Sequence, residues 1–165
     1  MAYPRKVKNY NAFLDGVSYF GKVDEATLPV PKLSTEDHRG AGMDAPVAID
    51  MGMEAMTASI TLAEWPAEVL TKLGTRQQLV LRPAAMGETD FSADTYIATM
   101  RGRITTAHPE TLKTGGDNPM KLDMAVDFYR LEKDGEELLE IDIENAVRTI
   151  GGVDQLADIR RAMGI

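Results

Sequence analysis

Apolar and polar residues alternate along much of this chain, and a period of two marks strands where a period of 3.6 would mark helices. The clearest run is 121–131, in which Leu122, Met124, Val126 and Phe128 point one way and Lys121, Asp123, Ala125, Asp127 and Tyr129 the other. One face of such a strand must be core. A second run, 56–62, alternates Ala58, Ile60 and Leu62 with Thr57, Ser59 and Thr61. Further strands are expected over 13–20, 22–33, 47–51, 77–82, 95–106 and 136–143. Asp15-Gly16 is a turn signal inside the first of these, while Pro29 and Pro31 mark 22–33 as an edge or irregular strand, because proline donates nothing to a ladder. Asp134-Gly135 joins 121–131 to 136–143 and is the strongest hairpin signal in the chain.

Two segments read as helices. Residues 67–73 follow Pro66, a residue tolerated in a first turn, and stop at Gly74. Residues 153–163 carry Val153, Leu156, Ala157 and Ile159 near helical spacing, with Gly164 available as the stop. Loops are expected at 83–94 and at 34–44, the latter polar, glycine-rich and containing His38, Arg39, Gly40 and Gly42. Long ordered loops usually have a task. The sum is one mainly β domain over 1–165: two packed antiparallel sheets, as a sandwich or open barrel, with one internal helix and a short C-terminal helix.

Composition narrows the function. A chain of 165 residues builds a single core, and although 44% of it is hydrophobic, no stretch approaches the ~20 apolar residues of a membrane span. No membrane binding by the subunit is expected. Arg5, Lys6 and Lys8 open the chain, but Asn9, Asn11 and Asp15 break any apolar signal segment. The absence of cysteine removes disulfides, thiolate metal sites and thiol nucleophiles. A net charge of -8 without a basic stripe argues against tight nucleic-acid binding by the isolated subunit.

Candidate chemistry dissolves on inspection. Glu136, Glu137, Glu140, Asp142 and Glu144 form no calcium loop, and at two-residue spacing Glu140, Asp142 and Glu144 read as a solvated or lumen-facing strand face. His38 beside Glu36 and Asp37 has no serine, cysteine or second histidine in motif spacing, and His108 lies far away in a different expected loop. Gly40-Ala41-Gly42 lacks the lysine and hydroxyl of a phosphate loop. Met51, Met53 and Met56 suit a flexible packing or contact surface. No catalytic, cofactor or metal residue is assigned.

Three blocks carry a resemblance. They are 11–29 (NAFLDGVSYFGKVDEATLP), 36–56 (EDHRGAGMDAPVAIDMGMEAM) and 128–156, which includes Tyr129, Leu131, Asp134, Gly135, Glu140, Asp142, Val147, Arg148, Gly152, Asp154 and Gln155. Together they resemble the major tail tube proteins of contractile-tailed bacteriophages and the tubes of R-type bacteriocins (pyocins). The position before Arg39 is His38, where many members of that family have tyrosine.

The resemblance implies six copies closed into a ring, whose inner strands form one continuous barrel, with rings stacked into a tube. It also implies a virion tail component assembled in the host cytoplasm. Its partners would be itself, a sheath outside, a tape-measure protein and then DNA in the lumen without sequence-specific binding, and baseplate and terminator proteins at the ends. A headless bacteriocin tube, a related secretion or injection tube and, further off, a small-molecule-binding β-barrel stand as alternatives. Two residue sets follow as expectations. Arg39, Gly40, Gly42, Met43, Asp44, Met51, Met53 and Met56 are expected to form an inter-subunit contact, and Asp123, Asp127, Glu140 and Asp142 to face the lumen or subunit boundaries.

Overall fold

The computed structural model describes residues 3–165; Met1 and Ala2, which begin the segment read against a signal peptide, lie outside the described residues. The described residues form twelve strands and two short helices in the order β1 (Lys6–Leu14), β2 (Val17–Ser18), β3 (Val23–Thr27), β4 (Leu33–His38), β5 (Val47–Met53), β6 (Met56–Leu62), α1 (Ala67–Leu70), β7 (Arg76–Met86), β8 (Ala93–Pro109), β9 (Met120–Lys133), β10 (Glu136–Asp142), β11 (Val147–Ile150), β12 (Val153–Asp154) and α2 (Ala157–Met163). Ten strands make one antiparallel sheet ordered β12-β11-β10-β9-β8-β7-β1-β2, from which β6 and then β3 branch off β9. The remaining sheet is the hairpin β4-β5. This is the mainly β architecture of two antiparallel sheets and two helices that the alternation implied.

The large sheet forks at β9. One edge of β9 pairs with β8 along its length, while the other pairs with β6 through Val126 and with β10 from Phe128 onward. A single buried cluster takes Ala12 and Leu14 from β1, Leu79 and Leu81 from β7, and Ala58, Ile60 and Leu62 from β6. The sheet therefore curls until its two ends share one core, which α1 joins through buried Val69.

The fork depends on a β-bulge. Gly102 pairs with Val126 and Arg101 with Phe128, so Asp127 is the extra residue. A bulge reverses the alternation beyond it. Tyr129, expected on the polar face, thus enters the core, and Phe128, expected in the core, emerges on the opposite face. Gly102 is obligatory here: a Cβ at this position would lie 1.9 Å from the backbone carbonyl oxygen of Ala125.

Other expectations need adjusting. Residues 34–44 are not one loop, since β4 occupies 33–38 and only 39–46 turn; with one face of β4 reading Thr35 and Asp37, apolar alternation could not announce it. His38 and His108 accordingly sit on strands. The loop expected over 83–94 shrinks because β7 continues through Pro83, at a point where the β7-β8 ladder omits Arg82 and Pro83 and so needs no proline N–H. The first strand begins at Lys6 and turns at Asp15-Gly16, both with positive φ. The internal helix keeps only 67–70 of its expected length, and the C-terminal helix starts at Ala157, where the Asp154 carboxylate accepts from Leu156 N–H at 3.1 Å, and ends on left-handed Gly164.

Candidate functional site: two surfaces built for contact

The first surface is the outward face of the large sheet. Residues that alternate with the core positions of β7 and β8 include Arg76, Gln78, Arg82, Arg101 and Arg103, and Arg76 stands directly opposite Arg103. Like charges across a strand pair repel. Arg76, Arg101 and Arg103 each have a counterweight. Arg76 reaches Asp127 at 2.7 Å and also binds Glu144, and these carboxylates, Glu144 foremost, hold its pKa above the usual arginine value. The Arg101 guanidinium carbon sits over the ring of Phe128, 4.0 Å from its centroid, which explains how that ring stays buried outside the core. Arg103 donates to the Gly74 carbonyl at 2.7 Å.

On the neighbouring strands Arg130 grips one oxygen of Glu140 with Nε at 2.9 Å and Nη2 at 2.7 Å, a contact that again raises the arginine pKa. Asp142 caps the following turn, accepting from the backbone N–H and side-chain amide of Asn145 at 3.2 and 2.7 Å. Asp123 sits 3.8 Å from Lys121 on the first half of β9. All four residues of the expected acidic set, Asp123, Asp127, Glu140 and Asp142, therefore lie on the sheet face turned from the core. A basic stripe, expected to be absent, lies among them. The Arg-Gly-Arg spacing of 101–103 was its signal in the sequence; its partner Arg76 needed the strand register.

The second surface is the β4-β5 hairpin. Val47, Ile49 and Met51 share one of its faces and are all exposed, with Leu33 and Val30 exposed at its root. An isolated two-stranded hairpin is marginal in water. Its tie to the body is one ion pair, Arg148 Nη2 to Asp50 at 2.6 Å, supplemented by Leu33 and Met53, which line a cavity of about 200 Å³ with Ile141, Arg148 and Ile150. Arg148 is otherwise buried; it stood in the third block of the resemblance, but no sequence signal assigned it this role. The Arg148 hydrogen bond, then the Gly52 N–H, pull the Asp50 pKa below the carboxylate norm.

The hairpin tip closes on itself: Arg39 Nε donates to the Met43 carbonyl at 3.2 Å, and Met43 N–H to the Gly40 carbonyl at 3.2 Å. Arg39, Asp44 and Met51 are exposed on the hairpin, and Met43 and Met53 are half-buried. Met56 is a correction. At 3% exposure it belongs to the core face of β6, where alternation with Thr57 places it, and it is not a contact residue.

Among the described residues no group of three or more His, Cys, Asp or Glu side chains is gathered to hold a metal, and no helix is long and apolar enough to cross a membrane. Both developed surfaces face outward and neither encloses a reaction site.

The family profile described as Phage tail tube protein FII matches residues 4–164. The chain belongs to that family. It is 34% identical, over its full length and that of its relative, to the Tail tube protein of Escherichia phage P2. It is 31% identical, over all of its own length and 99% of the relative's, to the Major tail tube protein of Serratia phage KSP20. The subunit is accordingly a structural component of a phage tail tube, within the virion, and not an enzyme.

Proposed function

We propose that six copies close into a ring through the edges of the large sheet, that rings stack into the inner tube of a contractile tail, and that DNA crosses it when the sheath contracts. The outward sheet face forms the lumen wall. Sheath subunits cover the outside, a tape-measure protein fills the lumen before DNA does, and baseplate and terminator proteins cap the two ends. The subunits assemble in the host cytoplasm.

The observation that carries the conduit is the pairing of Arg76, Arg101 and Arg130 on that face. A bare basic wall would bind phosphates, since each neutralised phosphate releases counterions and adds affinity. Here Asp127 and Glu144 occupy Arg76, Glu140 occupies Arg130, and Phe128 covers Arg101. The carboxylates keep the wall polar, wettable and weakly attractive to a polyanion.

Free edges support the ring. The first residues of β1, unpaired on the side away from β7 among the described residues, and the outer side of β3 offer unsatisfied backbone groups that invite a neighbouring strand. The β4-β5 hairpin, with Arg39, Gly40, Gly42, Met43 and Asp44 at its tip and Met51 and Met53 behind, reaches the next subunit.

The test is a particle whose tube carries Asp127→Asn and Glu140→Gln. With only Glu144 left on Arg76 and only Glu137, at 3.4 Å, left on Arg130, the less neutralised arginines should slow DNA ejection at low salt, and the delay should shrink as salt rises; ejection at the wild-type rate at low salt would remove this face from the lumen.

A further inference from the structure

Phe91 is 96% exposed, the most exposed large apolar side chain among the described residues. It stands at the tip of the connection 87–92 between β7 and β8, and that connection is clamped. Arg5 of the N-terminal segment donates through Nε to Asp94 at 2.8 Å and through Nη2 to the Ser92 carbonyl at 2.7 Å; Ser92 Oγ donates to Asp90 at 2.9 Å, and Lys8 pairs with Glu88 at 2.5 Å. A polar loop fastened at this many points would have no reason to present a bare phenyl ring to water unless something covers it, because an unburied phenylalanine forgoes roughly 2 kcal/mol of transfer free energy.

The opposite end of the same strands holds a matching rim. Strand β8 has 17 residues, which at ~3.3 Å each separates its ends by roughly 50 Å. At its far end, where Pro109 pairs with Met120, Trp65 Nε1 donates to the Asn118 carbonyl at 2.7 Å, so the indole is held in place while 42% exposed. The Lys22–Glu64 ion pair of 2.6 Å and the Ala63 N–H bond to the Lys22 carbonyl tie the turn that carries Phe20, 74% exposed, to the segment leading into Trp65; Leu112, 75% exposed, lies in the connection between Pro109 and Met120.

We propose that Phe91 of one copy packs on Trp65 of the copy in the next ring, making it the axial anchor of stacking. The distance forbids the contact within one chain. A knob and its receptor at opposite ends of one molecule make a head-to-tail contact, and such contacts propagate into open filaments instead of closing. Rigid aromatic anchors in apolar receptors are the typical centres of interface energy. The occupant is a second copy of this chain because the tube is built from copies, so the inference rests on the ring-stacking reading.

The experiment uses the chain's sole tryptophan as its own reporter. On assembly of the wild-type protein, Trp65 emission should move to the blue as the indole leaves water. Phe91→Ala should leave the subunit's circular dichroism and melting temperature unchanged, and should form single rings without stacks and without the blue shift. Phe91→Tyr should restore both. Phe91→Ala tubes of normal length with a normal shift would overturn the anchor, as would a Phe91→Ala protein that forms no rings at all, which would place Phe91 in a lateral contact. A wild-type protein that forms neither rings nor tubes would instead overturn the ring-stacking reading beneath it.

Discussion

Arg148, buried on β11, holds Asp50 of the projecting hairpin at 2.6 Å, and this ion pair is what orients the β4-β5 arm on the body of the subunit. The Asp50 carboxylate also accepts from Gly52 N–H at 2.8 Å, so one side chain both shapes the arm's own bend and anchors it. The pair has a pH signature. Asp50 has a folded-state pKa below its unfolded value, so its stabilisation is complete above the ordinary aspartate pKa of ~3.9 and disappears as pH falls through the lower folded value. Amide exchange over 33–53 should therefore accelerate relative to the body of the sheet only in strong acid, and Asp50→Asn should show that loosening already at neutral pH. Equal protection of the arm in wild type and Asp50→Asn at pH 7 would contradict the anchoring role.

The arm's apolar face should matter to assembly and not to folding. Ile49 is 47% exposed, so Ile49→Lys should change subunit stability by no more than ~0.5 kcal/mol. Sedimentation should nevertheless show that the variant stays monomeric under conditions in which wild type polymerises; polymerisation at the wild-type rate would free this face from any contact.

Gly102→Ala tests the fork. The methyl would sit 1.9 Å from the Ala125 carbonyl oxygen, and because both partners are backbone in paired strands, β8 and β9 must part locally. A loss of at least about 1–3 kcal/mol is expected in chemical denaturation. An unchanged midpoint would mean that the bulge at Asp127 relaxes freely.

Gly135→Val tests the turn at the other end of β9. Asp134 and Gly135 both have positive φ, as a type I′ turn demands, and the Asp134 backbone N–H and carboxylate both engage Thr95 at 2.8 Å. A β-branched residue at φ 85 should cost about 1–3 kcal/mol, read as a lowered melting temperature; an unchanged melting temperature would contradict the assignment.

Much of this was legible in the sequence wherever one face of a strand met one core. The run 56–62 matches β6 residue for residue, and Asp134-Gly135 marks its hairpin. What alternation could not show was the Asp127 bulge, because nothing in a pattern of period two reveals where one extra residue reverses it; Phe128 and Tyr129 exchanged faces for that reason. Strand β4 escaped because no core lies against most of its length, so Glu36, Asp37 and His38 read as loop, whereas the run 47–51 did mark β5. The acidic set lies on the face turned from the core, but that Asp127 pairs with Arg76 and Glu140 with Arg130 was not legible, since those pairings are fixed by register across strands.

Electron microscopy of the purified protein at rising concentration tests the central claim most directly. Six-membered rings stacked into tubes of uniform width are the predicted outcome. A protein that stays monomeric and globular under every condition in which it remains folded would contradict the account.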